Sequence, residues 1–261
     1  MTQPFIYLER TGEIARLVIN RPEKRNALSL AMWQAIPQLI EEVVADSIVK
    51  VLIIQGIDKS AFAAGADIDE IAACAGNEEK GWMYMDAVHA AENAIGQCEK
   101  PVIAMIRGDC IGGGVEIALA CDLRFAATGS RFGVTPAKLG LVYSLASTKR
   151  LTELVGPSMA RDYLFSARLF DLTEARSVGL IDREFSLSDI EEATNTYANS
   201  LCQRSQWSIR AAKAIVQAAL DGAVIEDAKV RQFRGGSFLA PDLREGVRAF
   251  REKRPPEFTW C

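Results

Sequence analysis

Residues 101–122 read PVIAMIRGDCIGGGVEIALACD. Val102 to Ile106 is an apolar run with the length and composition of a buried strand. Gly112, Gly113 and Gly114 follow, and from Val115 to Cys121 only Glu116 interrupts an apolar sequence. The pattern reads as a strand, a tight glycine turn and a buried helix. The first turn of such a helix offers unpaired backbone N–H groups and the positive end of its dipole, and glycines let another molecule approach that backbone. A carboxylate one turn further in is poorly solvated, which raises its proton affinity into a range useful for proton transfer. Oxyanion donors beside a desolvated acid or base are what enolate chemistry requires.

Upstream, residues 5–20 read as two strands joined at Thr11-Gly12. Arg21 to Asn26 is a polar loop. Ser29 is a candidate N-cap for a helix from Leu30 to about Val44, with Pro37 expected to kink or split it. Val51 to Gln55 is a further buried strand. Ser60 to Ile71 is a loop of small residues entering a short helix, and Glu78 to Gln97 is a long helix. Downstream, Leu123 to Ala127 resumes strand character, with a short strand near 131–134 and a turn at 135–140. A helix over 148–155 stops at Gly156-Pro157. From there strand signals nearly vanish and helices are expected over 159–165, 173–178, 189–201, 208–220, 225–232 and 242–253. Asp171-x-x-Glu174 and Ser188-x-x-Glu191 look like capping boxes. Strands and helices to about residue 150, then helices, predict an α/β core with a helical tail, and no internal repeat is visible.

Composition narrows the function. With 30 Lys and Arg against 34 Asp and Glu, the net charge is −4, which weighs against a nucleic-acid or anionic-membrane binder. No apolar run approaches the ~20 residues needed to cross a bilayer, and the first six residues lack a basic then apolar leader pattern, so a cytoplasmic location is expected. Six cysteines (74, 98, 110, 121, 202 and 261) include no C-x-x-C pair and are expected to be buried, reduced thiols. His89 is the sole histidine, which excludes a His-rich metal site, and no G-x-S-x-G elbow accompanies it. No metal is expected.

Four segments in order, residues 21–28 (RPEKRNAL), 62–68 (FAAGADI), 100–122, and 245–258 (EGVRAFREKRPPEF), resemble the crotonase (enoyl-CoA hydratase/isomerase) superfamily. The resemblance implies an α/β spiral of ββα units over 1–195 and a C-terminal helical trimerisation region over 196–261. It implies an acyl-CoA thioester as partner, with coenzyme A carried by the substrate and no separate cofactor, and a homotrimer or dimer of trimers. By position, the backbone N–H groups of Ala66 and Gly113 would hold the thioester oxygen. Lys24, Arg25, Ala27 and Leu28 would cover the nucleotide, Ala64, Ala66, Asp67 and Ile68 would border it, and Lys253 would reach a CoA phosphate.

Family hydratases pair a glutamate at the position of Glu116 with a second one in a Pro-Glu-x-x-Leu-Gly segment. Here residues 135–140 read TPAKLG, placing Pro136 where the second glutamate would stand. This segment, followed by Tyr143, resembles bacterial methylmalonyl-CoA decarboxylase, in which a glutamate and a tyrosine line the acyl pocket. Tyr143 would then hydrogen-bond a substrate carboxylate. The resemblance therefore implies decarboxylase-like or isomerase chemistry with Glu116 as the single carboxylate. The alternatives are a hydratase with a non-standard site and a non-catalytic scaffold or RNA-binding protein.

Overall fold

Alternation along the strands explains how the larger sheet is buried on both sides. In the computed structural model, which describes residues 4–259, strands β2 (Ile14–Ile19), β3 (Val51–Gly56), β5 (Val102–Ile106) and β7 (Leu123–Ala127) lie side by side and parallel. Leu17, Leu52, Ile54, Ala104 and Ile106 pack into one core. Their neighbours Ile14, Val51, Ile53, Ile103, Met105 and Phe125 pack into another. Side chains alternate across a strand, so a sheet covered on both faces reads as a continuous apolar run. Each Leu or Ile buried this way contributes roughly 1.5–3 kcal/mol. β1 (Ile6–Thr11) pairs antiparallel with β2 at one edge, and β10 (Arg183–Phe185) closes the other.

A second, smaller sheet has the order β4 (Ala61–Ala63), β6 (Asp109–Ile111), β8 (Arg131–Gly133) and β9 (Leu169–Asp171), with only β9 antiparallel. The chain passes from the large sheet to the small one three times, β3 to β4, β5 to β6 and β7 to β8. Helices follow each passage: α2 (Ile68–Cys74) and α3 (Glu78–Gln97), then α4 (Gly113–Ala120), then α5 (Leu145–Ser166). This is the spiral of ββα units that the resemblance implied. Its helices differ in length from turn to turn, so the geometric repeat leaves no fixed period in the sequence.

α1 (Leu30–Ala45) starts at Ser29, whose side chain accepts from Met32 N. The break expected at Pro37 is absent: the helix runs through it. The proline removes one backbone donor, but Met32, Trp33 and Ile36 before it and Ile40 and Val43 after it bury one continuous face. The break at Gly156-Pro157 is present as a kink inside α5, where Gly156 takes φ 77°. β9 and β10 lie where helices alone were expected; at three residues each they are too short for alternation to mark. Asp171 caps α6 (Leu172–Ser177) by accepting from Glu174 N at 2.9 Å. Ser188 caps nothing: its hydroxyl donates to Asp189 Oδ1, and α7 (Ile190–Cys202) starts without a side-chain cap.

The division expected between residues 195 and 196 falls inside α7. Ile190, Ala198 and Cys202 of that helix fill the second core against the large sheet, so α7 covers the core. α8 (Gln206–Leu220), α9 (Ala228–Gly236) and α10 (Pro241–Glu252) follow it. Asp227 accepts from Val230 N at 2.8 Å, which sets the start of α9 later than position 225. Among the described residues no helix is long and apolar enough to cross a membrane. Cys98, Cys110, Cys121 and Cys202 are buried thiols; Cys261 lies outside the described residues.

Candidate active site

Three adjacent strands of the small sheet end on the same side, because β4, β6 and β8 are parallel. Their C-terminal ends deliver three loops to one cleft, as parallel sheets commonly do. The first carries Ala64 to Asp67, the second Gly112 and the start of α4, and the third Thr135 to Ser144. Together with Ile68, Trp33 and part of α3 they line a cavity of 740 Å³. Ala64, Ala66, Gly113, Glu116 and Tyr143 all line it.

The first two loops touch. Gly112 has φ 53°, and a Cβ there would stand 3.4 Å from Gly65 Cα. The adjacent Gly113 has no room for a side chain: a Cβ would meet Trp33 Cζ2 at 2.8 Å. Trp33 is in turn fixed by its indole, which donates to Tyr84 Oη at 3.1 Å, while Tyr84 donates to Leu28 O at 3.3 Å. The Gly113 amide opens α4, and Ala66 on the first loop lines the same cavity. Among the described residues, neither N–H donates to a protein acceptor. Two backbone donors without a protein acceptor, on two loops bordering one cavity, can receive a developing negative charge.

Tyr143 donates its hydroxyl to Gly112 O at 2.8 Å. That carbonyl and the Gly113 N–H belong to the same planar amide. Gly112 O also accepts from Val115 N at 2.8 Å and Glu116 N at 3.1 Å, so the tyrosine adds a third bond to a peptide that α4 already orients, and its hydroxyl is not free in the cavity as the sequence reading expects.

Glu116 sits one turn into α4, partly accessible from the cavity and otherwise enclosed by protein. Burial, reinforced by the negative charge of Glu92, pushes its carboxyl up to about 8. Glu92 is fully buried on α3 and accepts from Ser144 Oγ at 2.8 Å and Ser147 Oγ at 2.5 Å. The reading of the sequence missed it, along with Trp33 and Tyr84. A signal was there: Glu92 is four residues after Val88 and three before Ile95, on the apolar face of α3.

Pro136 is buried, lines the cavity and opens a single 3-10 turn, Pro136–Lys138. The loop thus brings no carboxylate to this place. Glu78 stands at the rim and accepts from the exposed Trp82 indole. No Lys, Arg or His lines the cavity among the described residues.

The segment 21–28 runs along the first loop. Ala64 N donates to Arg25 O, Leu28 N to Gly65 O and Asp67 N to Leu28 O. The backbone of 24–28 is thereby joined to the Ala64–Asp67 loop. The side chains are otherwise occupied. Asp67 caps α2 by accepting from Asp69 N and pairs with Arg21 at 2.6 Å, which holds its carboxyl below the usual range against the effect of burial. Lys24 contacts Asp69 at 2.6 Å, and Arg25 pairs with Asp109. Ala27 O accepts from Arg21 Nη1 at 3.2 Å. Ile68 is exposed at the cavity edge. Lys253 caps the end of α10 and lies outside the cavity lining. His89 is exposed and contacts Asn93.

Comparison with known proteins yields a consistent picture. A family model described as enoyl-CoA hydratase/isomerase matches residues 9–260. The chain is 33% identical over 266 residues to a crotonyl-CoA hydratase of Syntrophomonas wolfei, covering 97% of each. It is 31% identical to a peroxisomal Δ(3,5)-Δ(2,4)-dienoyl-CoA isomerase of Arabidopsis thaliana, covering 95% of this chain and 93% of that one. Among solved structures, an enoyl-CoA hydratase/isomerase family protein from Hyphomonas neptunium matches with a TM-score of 0.96 and 43% identity, over 99% of this chain and 98% of that chain.

Proposed function

Since the chain belongs to the enoyl-CoA hydratase/isomerase family, we propose that it is an acyl-CoA isomerase that moves a double bond by single-carboxylate proton transfer. The substrate's thioester oxygen accepts from the Ala66 and Gly113 N–H groups, which makes the C2 proton acidic. The Glu116 carboxylate takes that proton from a 3-enoyl thioester and leaves a dienolate. The carboxyl then returns it at C4, giving the 2-enoyl product with no net gain or loss of atoms. A base whose proton affinity lies near the working pH suits this exchange.

The observation that carries this reading is that, among the described residues, the cavity lining holds two carboxylates, Glu116 inside and Glu78 exposed at the rim, with Pro136 in the third loop. Hydration, the activity in the names of several relatives, needs a further group to manage water at C3. A decarboxylase-like reaction is the second reading. It is favoured by the proton that burial keeps on Glu116 to about pH 8, ready to be given to the enolate left by departing carbon dioxide. It is disfavoured because a substrate carboxylate would meet no cation in the lining, while the Tyr143 hydroxyl is committed to Gly112.

The test is a screen of 3-enoyl, crotonyl and methylmalonyl thioesters by chromatography and mass spectrometry, with wild type and Glu116→Gln. Isomerisation changes retention at constant mass, and Glu116→Gln abolishes it. Loss of carbon dioxide supports the second reading, and addition of water to crotonyl-CoA overturns both. CoA-ester binding without turnover of any substrate would favour a non-catalytic scaffold.

A further inference from the structure

Glu92 is a buried acid for which the mechanism above has no role, and its setting differs from that of Glu116. Its two oxygens accept from the hydroxyls of Ser144 and Ser147, at the start of α5. The guanidinium of Arg150, one turn further along, lies against α3. Only the missing side chain of Gly96 makes room for it there: a Cβ at that position would stand 2.5 Å from Arg150 Nη2. Burial raises the Glu92 carboxyl, and the two serine hydroxyls, Arg150 and the His89 ring work against that rise in favour of the charged form. Glu116, by contrast, accepts no hydrogen bond from the described residues, and the charge that acts on it is that of Glu92. When two buried carboxylates repel each other, the one better supplied with donors ionises first and the other retains the shared proton.

We propose that Glu92 is a positioning residue, carrying the negative charge of an unequal carboxylate pair so that Glu116 keeps the transferable proton. Ser144 ties this pair to the cleft, since it caps α5, donates to Glu92 and lines the cavity. The proposal rests on Glu116 being the proton carrier.

An infrared titration of protonated carboxyl groups in the full chain tests it without requiring turnover. Wild type should show a buried carboxyl that persists to about pH 8. In Glu116→Gln that band should vanish, with Glu92 ionising well below that pH. A band surviving to pH 8 in Glu116→Gln would mean that Glu92 holds the proton, and would overturn the proposal. In Glu92→Gln the Glu116 midpoint should fall by about one unit or more, and Glu92→Asp should restore most of it. Where turnover is found, Glu92→Gln should move the pH limb of kcat/KM by the same amount and change KM by less than about threefold. A folded Glu92→Gln with an unmoved midpoint also overturns the proposal. If Glu92→Gln fails to fold, the Glu116→Gln titration decides alone. Failure to find isomerase activity would bear on the function only, because both midpoints are read without substrate.

Discussion

Glu116 retains a proton to about pH 8 that an ordinary glutamate loses near 4.5. The folded state therefore binds this proton more tightly than the unfolded chain does. Its contribution to stability is full below about pH 4.5 and is lost as pH rises through about 8. Glu116→Gln removes that loss, so its Tm advantage over wild type should grow between pH 5 and pH 8, by roughly 5 °C. Thermal unfolding at several pH values checks this, and a constant difference would contradict it. In the proposed isomerisation the same proton governs the rate. As an isomerase the protein needs the ionised form, so kcat/KM should climb with pH and level off above about 8; an acid-dependent decarboxylation would instead decline there. Tyr143→Phe should cost about 1 kcal/mol of stability by removing the hydroxyl from Gly112 O, and lower kcat only modestly, because Val115 N and Glu116 N still hold that peptide; kinetics of the variant check this. Glu116 was legible in the sequence because one acid interrupts an apolar run. Tyr143 was legible as a cavity residue, but its bond to a backbone carbonyl depends on how two distant loops meet. Glu92 was not legible because a lone acid on the buried stripe of a long helix belongs to no motif, and its serine partners lie 52 and 55 residues away.

Elements made the site legible where they were long or closely patterned. The strand–glycine–helix reading of residues 101–122 survives as β5, β6 and α4, with β6 an addition because its three residues carry no period of their own. The glycines have distinct spatial duties. A Cβ at position 114 would stand 2.3 Å from Ala63 O, a backbone atom that moves only with β4. At position 113 the obstacle is the Trp33 ring at 2.8 Å, which a side-chain shift can relieve. Gly114→Ala should therefore lower Tm more than Gly113→Ala, with about 1–3 kcal/mol as the scale for overpacking. Gly113→Ala should retain more fold than function, since any movement of Trp33 or α4 displaces the donor. Calorimetry and turnover of the two variants, side by side, check the ordering.

For the whole molecule, the spiral was legible through resemblance alone. Its turns are related by the path between two sheets, and no residue period records that path. The helical end is harder to place. Val216, Phe238, Leu239 and Phe250 in and beside α8 to α10 are well exposed. We expect the chain to assemble in multiples of three through this region, and light scattering on the eluting protein should find a trimer or a dimer of trimers. A monomer at micromolar concentration would contradict this. One consequence of the three loops reaches past this protein. The strands β4 and β6 supply both donors, and β8 supplies neither. In the proposed mechanism, substitution in the third loop away from Tyr143 would then change what befalls the enolate while both donors stay in place. A fold built this way separates the making of a reactive intermediate from the choice of its fate. New reactions can arise by editing one hairpin-sized segment while the older half of the chemistry stays intact.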